Sequence, residues 1–228
     1  MTDEASLPLC VGIIPDGNRR WALRHDTAAL EGHRAGADTL ARIVLHARDR
    51  GIAHIVAYAF SSENWQRSET EVSFLMSLIV EGARGELSRL RKEGVRIRFI
   101  GERERLAIAV RDAIESVEKE SAGNTACTLW IAFSYGGRAE IAAAARLLAE
   151  AGEPITEDSL PARFWSAGMP DPDLIVRTSG EQRLSNFLLW QAAYSELFFT
   201  DTLWPDFTPD EFDRILDTYA VRERRHGK

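Results

Sequence analysis

A dense polar motif follows the first apolar run of the chain, Cys10–Ile14. The motif consists of Asp16, Gly17, Asn18, Arg19, Arg20 and Trp21. Backbone N–H groups of a turn that enters a helix can bind a phosphate group, and arginine can bind it bidentately. The Asp16 carboxylate would repel that phosphate unless a divalent metal lay between them, and Mg²⁺ typically uses one or two carboxylates plus substrate phosphates. An Asx-type turn with solvated arginines explains the same residues equally well.

A second polar segment follows the next apolar run. It contains Ser61, Ser62, Glu63, Asn64, Trp65 and Arg67. Ser68 and Glu71 fit a Ser-x-x-Glu capping box at the start of the following helix. That box leaves Asn64, Trp65 and Arg67 unexplained. Between the two polar segments, His33 lies where a helix is expected to begin, as a cap or a ligand contact.

A third cluster follows the fifth predicted strand. It contains Arg177, Arg183, Leu184 and Ser185 around Gly180, and two arginines with hydroxyl groups suit a second anion site. Glu196 begins an apolar strand, where its charge needs a metal or an arginine as partner. A diphosphate carries roughly three negative charges by the usual phosphate count, so two diphosphates in one cleft would require this many cations.

The elements that must position these clusters alternate between strand and helix patterns. Strands are predicted over Cys10–Ile14, His54–Phe60, Val95–Phe99, Cys127–Phe133, Asp173–Val176 and Leu197–Thr200. Helices are predicted over Gly36–Arg50, Glu69–Lys92, Glu102–Glu120, Arg138–Glu150 and Pro209–Arg222. This alternation predicts one α/β domain over residues 1–228, with a mainly parallel central sheet flanked by helices. Ligands of such sheets bind beyond the carboxyl ends of the strands, where the polar clusters lie.

Composition excludes several other classes of protein. The 228 residues include 35 acidic and 28 basic residues, and the net charge of −7 argues against nucleic-acid binding. Cys10 and Cys127 lie in apolar runs and are expected to be buried reduced thiols. We see no signal peptide and no apolar run of the ~20 residues that cross a bilayer, so we expect a cytoplasmic protein.

Six separated motifs resemble those of the cis-prenyltransferases, with undecaprenyl diphosphate synthase as the nearest type. They are Asp16–Ala22, Gly32–Gly36, Tyr58–Trp65, Tyr135–Arg138, Arg177–Glu181 and Ser185–Gln191. The match runs in unbroken order from about Val11 to Gly227. The resemblance implies a homodimeric α/β enzyme with a hydrophobic substrate tunnel. Such an enzyme condenses isopentenyl diphosphate onto an allylic diphosphate such as geranyl or farnesyl diphosphate, and forms a Z double bond at each step.

The resemblance also implies roles for individual residues. Asp16 would hold Mg²⁺ and assist ionisation of the allylic diphosphate, and Asn64 would be a candidate proton acceptor. The allylic diphosphate would be bound by Gly17, Asn18, Arg19, Arg20 and Trp21, with His33 nearby. A mobile loop over the reacting centre would comprise Ser61, Ser62, Glu63, Asn64, Trp65 and Arg67, and Glu71 would help to close it. Isopentenyl diphosphate would be bound by Arg177, Arg183, Leu184 and Ser185. Glu196 would support the metal and phosphate.

The chain ends carry two further expectations. Residues 1–8 are expected to be flexible. Residues 222–228 would form a tail, in which Arg225 and Gly227 match an Arg-x-Gly element that reaches into the partner subunit's site. Peripheral membrane contact during product release is also expected.

The chain departs from the family pattern at three positions that bear on its substrates. Ala29 stands where an arginine often contacts the allylic diphosphate. Phe74 and Trp130 are bulky where small or polar residues are common, so a shorter product is expected if they line the tunnel. Two alternatives stay open: a non-catalytic partner subunit of a heteromeric cis-prenyltransferase, and a Mg²⁺-dependent phosphohydrolase with Asp16 as nucleophile.

Overall fold

The computed structural model describes residues 7–221, which form six strands and seven α-helices. The strands are β1 (Cys10–Ile14), β2 (His54–Ser61), β3 (Val95–Ile100), β4 (Cys127–Tyr135), β5 (Leu174–Arg177) and β6 (Glu196–Phe199). The helices are α1 (Asn18–Arg24), α2 (Ala29–Asp49), α3 (Glu69–Arg84), α4 (Glu86–Lys92), α5 (Ile108–Ser121), α6 (Gly137–Ala151) and α7 (Pro209–Ala220). Short 3₁₀ segments cover Ser62–Gln66, Pro161–Arg163 and Trp204–Asp206.

The six strands form one parallel sheet in the order β3-β4-β2-β1-β5-β6. The predicted single α/β domain with a parallel sheet is therefore confirmed. β1 lies between β2 and β5, and Ile14 at its carboxyl end is level with Arg177. Because parallel strands end at the same edge of the sheet, the polar residues that follow β1, β2 and β5 lie on one side of the molecule.

Apolar residues fill both faces of the sheet. On one face, Ile97, Leu129 and other strand residues pack with α2, α5 and α7 in the larger core cluster. On the other face, Tyr58 and Trp130 pack against Phe187, in the chain that follows β5. Successive strand residues alternate between these two clusters, as the pleat of a strand requires.

Several helix boundaries differ from the sequence-based predictions. The long helix predicted over Glu69–Lys92 is two helices, because Gly85 leaves the helical conformation with φ −98° and ψ −111°. Helix α1 was not predicted, and α2 begins at Ala29 rather than Gly36, so His33 lies inside α2 and does not cap it. Helix α5 begins at Ile108 rather than Glu102, after a turn in which Leu106 N donates to Arg103 O.

Two smaller expectations can be compared with the structure. Cys10 and Cys127 are buried free thiols, as predicted. Between residues 7 and 221, every helix is too short or too polar to span a bilayer.

Close contact between α1 and α2 depends on Gly32 and Gly36. A Cβ atom on Gly32 would overlap the Asn18 carbonyl oxygen, and one on Gly36 would lie 2.5 Å from Asn18 Oδ1. These two glycines therefore let the helix that carries the first polar motif lie directly against α2.

The substitution Gly32→Ala tests this contact through the sign of its effect, because its Cβ would overlap the Asn18 backbone carbonyl, which cannot rotate away as a side chain can. Alanine inside a helix is ordinarily about 1 kcal/mol more stable than glycine. Here the overlap with Asn18 should reverse the sign and destabilise the protein by roughly 1–3 kcal/mol, as overpacking does. Chemical denaturation measures the change. Gly82→Ala in α3 is the matched control, because its Cβ would lie 3.6 Å from Leu87, an ordinary contact, and should stabilise the protein. Equal stabilisation by both substitutions would contradict the close approach.

Candidate active site

A polar cleft of about 650 Å³ opens at the carboxyl end of β1. Its walls come from the turn after β1, from α1, from the start of α2 and from one side chain after β2. The predicted site residues that line it are Asp16, Gly17, Asn18, Arg19, Arg20, His33 and Arg67. The structure therefore brings together most of the first motif, His33 and one arginine of the second segment. Ala29 lines the same cleft, so the missing arginine would have pointed toward this space.

Asp16 is the acidic group of the cleft, and two neighbouring residues hold it. Its Oδ2 lies 2.8 Å from Nη2 of Arg177, a nearly buried side chain on β5. Thr178 clamps the Asp16 backbone, since its Oγ1 accepts from Asp16 N at 2.9 Å and donates to Asp16 O at 2.7 Å. The Asp16 side chain is still 31% exposed. The carboxylate is therefore fixed in position and accessible to a ligand.

The surroundings of Asp16 favour its charged form. Partial burial would raise its pKa, but the hydrogen bond and positive charge of Arg177, together with Arg20 at 3.5 Å, outweigh burial. The pKa of Asp16 is therefore below its ordinary value. Asp16 is a carboxylate, which is the form that a hard divalent cation binds.

Arg20 connects α1 to the segment that follows β5. Its Nη1 donates to the Ser179 carbonyl at 3.0 Å, and its Nη2 donates to Ser179 Oγ. Ser179 has a φ of 77°, which is uncommon for a residue other than glycine. Arg19 is exposed in the same cleft. The Arg20 guanidinium therefore lies beside Asp16, and Arg19 lines the same cleft.

Gly17 and Trp21 have structural roles. Gly17 has a φ of 109°, and a Cβ there would lie 2.9 Å from Leu203, so the turn into α1 requires glycine. Trp21 Nε1 donates to Asp206 Oδ1 at 2.6 Å, and its ring stacks on His25. Trp21 does not line the cleft. Its side chain anchors α1 to the chain before α7, and the contact with the allylic diphosphate stays a prediction.

His33, Arg67 and Glu71 form a polar triad at the end of the cleft. Glu71 Oε1 lies 2.8 Å from Arg67 Nη1 and 3.3 Å from His33 Nε2. Burial lowers the pKa of His33 more than the neighbouring Glu71 raises it. At the start of α3, Glu71 N donates to Ser68 Oγ, which is one half of the predicted capping box. The Glu71 carboxylate does not complete the box, because it faces Arg67 and His33. The capping box is therefore only half formed.

The 3₁₀ segment Ser62–Gln66 lies beside the cleft and is held by side-chain contacts. Trp65 Nε1 donates to Ser134 Oγ at 3.0 Å, and the Arg105 guanidinium lies over the Trp65 ring at 4.6 Å. Asn64 Oδ1 accepts from Ser61 N at 3.0 Å. Asn64, the candidate proton acceptor, thus uses its amide oxygen to hold the segment in this conformation.

Arg177 joins the two clusters that the sequence suggested were separate anion sites. Besides Asp16, it donates through Nη1 to Ser185 Oγ at 2.8 Å and to the Arg183 carbonyl at 2.5 Å. The Arg183 side chain is 59% exposed and paired with Glu181. Leu184 is half-buried and packs on the core cluster of Tyr58 and Phe187. Arg183 is therefore the accessible cation of this cluster, and Arg177 is its internal support.

Glu196 lies away from the cleft. It pairs with Leu174 at the amino end of β5, whereas Phe199 pairs with Arg177 at the carboxyl end. Three strand residues separate these levels, about 10 Å at 3.3 Å per residue. Within one chain, the structure does not bring Glu196 and Asp16 together as ligands of one metal. In residues 7–221, no three His, Cys, Asp or Glu side chains cluster as a metal site.

An apolar cavity of about 140 Å³ adjoins the polar cleft. The two share Pro15, Asn18 and His33 in their walls. From there the cavity runs between the sheet and helices α2, α3 and α4, lined by residues such as Ala37, Leu78, Leu87 and Leu90. Ala59 also lines it, at the irregularity in β2 where pairing with β4 shifts between Tyr58 and Phe60.

Phe74 and Trp130 do not line this cavity. Trp130 is buried on the opposite face of the sheet, where Nε1 donates to His54 Nδ1 at 3.2 Å. Phe74 lies beneath the Arg34 guanidinium at 5.6 Å. Adjacent Ile131 and Phe133 line the cavity instead, because alternate residues of β4 point to opposite faces.

Sequence reasoning assigned no role to Thr178, Ser179, Ser134 or Asn186. All four lie directly at or after the carboxyl ends of β4 and β5, or in the segment that continues from β5. Their position after strands could have indicated these roles. They were considered only as parts of motifs, and no individual contacts were assigned to them. Arg225 and Gly227 lie outside the described residues, as do residues 1–6.

Comparison with known proteins identifies relatives across nearly the whole chain. A family model described as putative undecaprenyl diphosphate synthase matches residues 14–227. An isoprenyl transferase of Agrobacterium fabrum is 48% identical, over 99% of this chain and 94% of the relative. A (2E,6E)-farnesyl-diphosphate-specific ditrans,polycis-undecaprenyl-diphosphate synthase of Xanthomonas axonopodis pv. citri is 46% identical, over 98% of this chain and 90% of the relative.

Two solved structures share the fold. Lavandulyl diphosphate synthase from Lavandula x intermedia, in complex with dimethylallyl diphosphate, superposes with a TM-score of 0.94 at 34% identity and covers 99% of this chain and 100% of the other. A probable undecaprenyl diphosphate synthase from Campylobacter jejuni superposes with a TM-score of 0.83 at 33% identity, covering 98% of this chain and 99% of the other.

The Thr178 clamp on Asp16 yields a stability prediction. Thr178→Val removes both hydrogen bonds to the Asp16 backbone. Asp16 N still donates to Ile14 O and Asp16 O still accepts from Trp204 N, so the expected loss of stability is that of two hydrogen bonds, about 1–3 kcal/mol in total. Thr178→Ser keeps the hydroxyl and should recover most of that loss. Chemical denaturation of the three proteins measures both changes. If serine and valine destabilise the protein equally, the loss comes from packing and not from the clamp.

Proposed function

Because this chain belongs to the prenyltransferase family described as putative undecaprenyl diphosphate synthases, we propose that it condenses isopentenyl diphosphate with an allylic diphosphate. The allylic substrate would be geranyl or farnesyl diphosphate, and the product a Z-configured polyprenyl diphosphate. One observation carries the proposal: a polar cleft with Asp16, Arg19 and Arg20 adjoins an apolar cavity. An allylic diphosphate has the same division into a charged head and an apolar tail.

The cleft is suited to stabilising a diphosphate leaving group. Breaking the allylic C–O bond places negative charge on the diphosphate and positive charge on the allylic carbon. Arg19 and Arg20 would donate to the diphosphate oxygens, and the first-turn N–H groups of α1 lack helical acceptors and could do the same. Arg20 is already held by Ser179, so little reorganisation would be needed as the charge develops.

Asp16 fits a magnesium ion that is shared with the substrate. It is a charged, accessible hard oxygen donor, and Mg²⁺ in proteins commonly has one or two carboxylates plus substrate phosphates as ligands. Bound there, Mg²⁺ would neutralise charge on the departing diphosphate. Arg177 would keep the Asp16 carboxylate oriented toward the cleft.

Isopentenyl diphosphate would bind on the β5 side of the cleft. Arg183 is the exposed cation there, and Ser185 adds a hydroxyl that already accepts from Arg177. The new C–C bond would form between the two substrates, and isopentenyl diphosphate would lose a proton. Asn64 stays the predicted acceptor, and it would have to release Ser61 N to act.

The apolar cavity would hold the allylic chain and exclude water from the allylic cation. His33 lies where the cavity meets the polar cleft, and the cavity walls include Ala41 on α2 and Leu87 and Leu90 on α4. The hydrophobic substrate tunnel remains part of the proposal, with the walls given by these residues.

The remaining parts of the proposal concern assembly. They are a homodimer, a tail in which Arg225 and Gly227 reach the partner's site, membrane contact during product release, and a cytoplasmic location. Glu196 as a second metal ligand would require a neighbouring chain, because about 10 Å of strand separates it from the cleft edge of its own chain.

The substitution Asp16→Ala tests the proposed chemistry. Turnover should fall by about 10²–10³-fold, because the variant loses a contact that acts on the developing charge. The assay measures prenyl products from labelled isopentenyl diphosphate with farnesyl diphosphate and excess Mg²⁺. Asp213→Ala is the matched control, since Asp213 also pairs with an arginine, Arg50, but lies on α7. Its turnover should be unchanged.

Three outcomes of that assay would contradict the proposal. Normal product formation by Asp16→Ala would exclude the metal role. Release of inorganic phosphate by the natural chain without prenyl products would favour a phosphohydrolase. Products that appear only when a second, different subunit is added would favour a non-catalytic partner.

The substitution Ala37→Leu tests the apolar cavity. Leucine adds three carbon atoms to the cavity wall and should shift the product distribution toward shorter chains. Mass analysis of the products measures that shift. Phe74→Ala serves as the control and should leave the distribution unchanged, because Phe74 lies outside the cavity. The assignment of the cavity fails if Phe74→Ala changes product length and Ala37→Leu does not.

A further inference from the structure

Asn186 occupies a strained position between the two proposed substrate subsites. Ser185 and Asn186 have φ values of 49° and 67°, so two consecutive residues other than glycine are left-handed. Such conformations cost about 1–3 kcal/mol each and persist only where surrounding contacts enforce them. The contacts of Asn186 therefore indicate what the strain maintains.

The Asn186 side chain and backbone bind the start of α6. Its Oδ1 accepts from Arg138 N at 2.9 Å, and its carbonyl accepts from Gly137 N at 2.8 Å. Both N–H groups belong to the first turn of a helix, where no helical acceptor exists. Because Oδ1 accepts from a backbone N–H, the other side-chain atom of Asn186 is fixed as the donor.

The donor, Asn186 Nδ2, binds the Ser62–Gln66 segment. Asn186 Nδ2 donates to Glu63 Oε1 at 2.9 Å, and Glu63 Oε2 accepts from Ser62 Oγ at 3.0 Å. Both carboxylate oxygens of Glu63 are thus used within the protein. This side chain therefore holds the Ser62–Gln66 segment in this conformation, and its place in a mobile loop over the reacting centre stays a prediction.

The neighbour of Asn186 leads to the other subsite. Ser185 Oγ accepts from Arg177 Nη1 at 2.8 Å, and the Ser185 carbonyl accepts from Tyr58 Oη at 3.3 Å. Arg177 is therefore linked to Glu63 by two hydrogen bonds that the backbone of residues 185 and 186 connects. A ligand that contacts Ser185 would act on one end of this link.

We propose that Asn186 is a positioning residue that couples the isopentenyl diphosphate subsite to the Ser62–Gln66 segment through its hydrogen bond to Glu63. The inference rests on the proposed function and extends it to how binding in one subsite affects the segment beside the other. A ligand at Arg183 and Ser185 stabilises the left-handed pair, and the Asn186–Glu63 bond then holds the segment in place over the allylic substrate.

The substitution Asn186→Asp tests the coupling with little change in shape. One oxygen still accepts from Arg138 N, but the other faces the Glu63 carboxylate, so the hydrogen bond becomes a repulsion between like charges. We expect KM for both diphosphates to rise about tenfold or more, the usual effect of losing a hydrogen bond to a charged group. Glu63→Gln alone keeps an acceptor for Asn186 and should change KM much less.

The double variant Asn186→Asp with Glu63→Gln provides the decisive rescue. The glutamine amide can donate to the new aspartate, so the bond returns with its polarity reversed, and both KM values should return toward those of the natural chain. Asn124→Asp is the matched control. It adds the same charge beyond α5 and loses hydrogen bonds to the Arg91 and Val95 carbonyls. It should lower thermal stability without changing either KM.

Amide hydrogen exchange gives a readout that does not depend on turnover. Isopentenyl diphosphate added alone should slow exchange over residues 61–67 in the natural chain and in the double variant, but not in Asn186→Asp. If the natural chain forms prenyl products and Asn186→Asp shows normal KM values and normal protection, the coupling is overturned. A failure of rescue by the double variant also overturns it. If the natural chain forms no prenyl product, the proposed function itself is overturned, together with this inference.

Discussion

The ion pair between Asp16 and Arg177 is the constraint on which the rest of the site depends. Arg177 is a buried guanidinium on a central strand, and removing its carboxylate partner would leave an uncompensated buried charge. The pair fixes the carboxyl end of β1 against that of β5. Thr178 and Ser179 then follow in positions where they bind the Asp16 backbone and Arg20. The buried charge of Arg177 thereby orients the Asp16 carboxylate in the cleft.

Backbone strain collects in the chain around this pair. Ser179, Ser185, Asn186 and Leu188 all have positive φ values and all follow β5 within eleven residues of Arg177. Among the other non-glycine residues from 7 to 221, only Asp26 and Ser134, the latter near the end of β4, adopt such a conformation. A segment of this kind holds its shape through specific hydrogen bonds, since regular secondary structure does not supply them. The segment after β5 therefore places its polar groups precisely, and its conformation depends on a few contacts.

Local pattern was sufficient to locate the strands and the polar clusters that follow them. Alternating apolar residues in β3 and the apolar runs of β1 and β4 gave their positions, and the parallel sheet then implied that Asp16 and Arg177 share one edge. Pattern could not show that Arg177 uses its donors internally, because that depends on pairing between residues 161 positions apart. Pattern left open whether Trp130 lines the tunnel, and the register of β4 turns it to the other face. The break at Gly85 was missed because apolar spacing continues through it from α3 into α4.

The order of strands also governs how the site forms during folding. β1 pairs with β2, about forty residues away, by closing a far shorter loop than the one that brings it to β5. Loop-closure entropy and the slow formation of non-local contacts therefore favour a partial sheet of β1 to β4 before β5 docks. During synthesis, the first half of the chain would carry Asp16 and Arg20 without their partners Arg177 and Ser179. The site is complete only when the second half has emerged and joined the sheet. Until then the edge of β1 that later pairs with β5 is open to other strands, and the nascent chain is most exposed to misassembly in that interval.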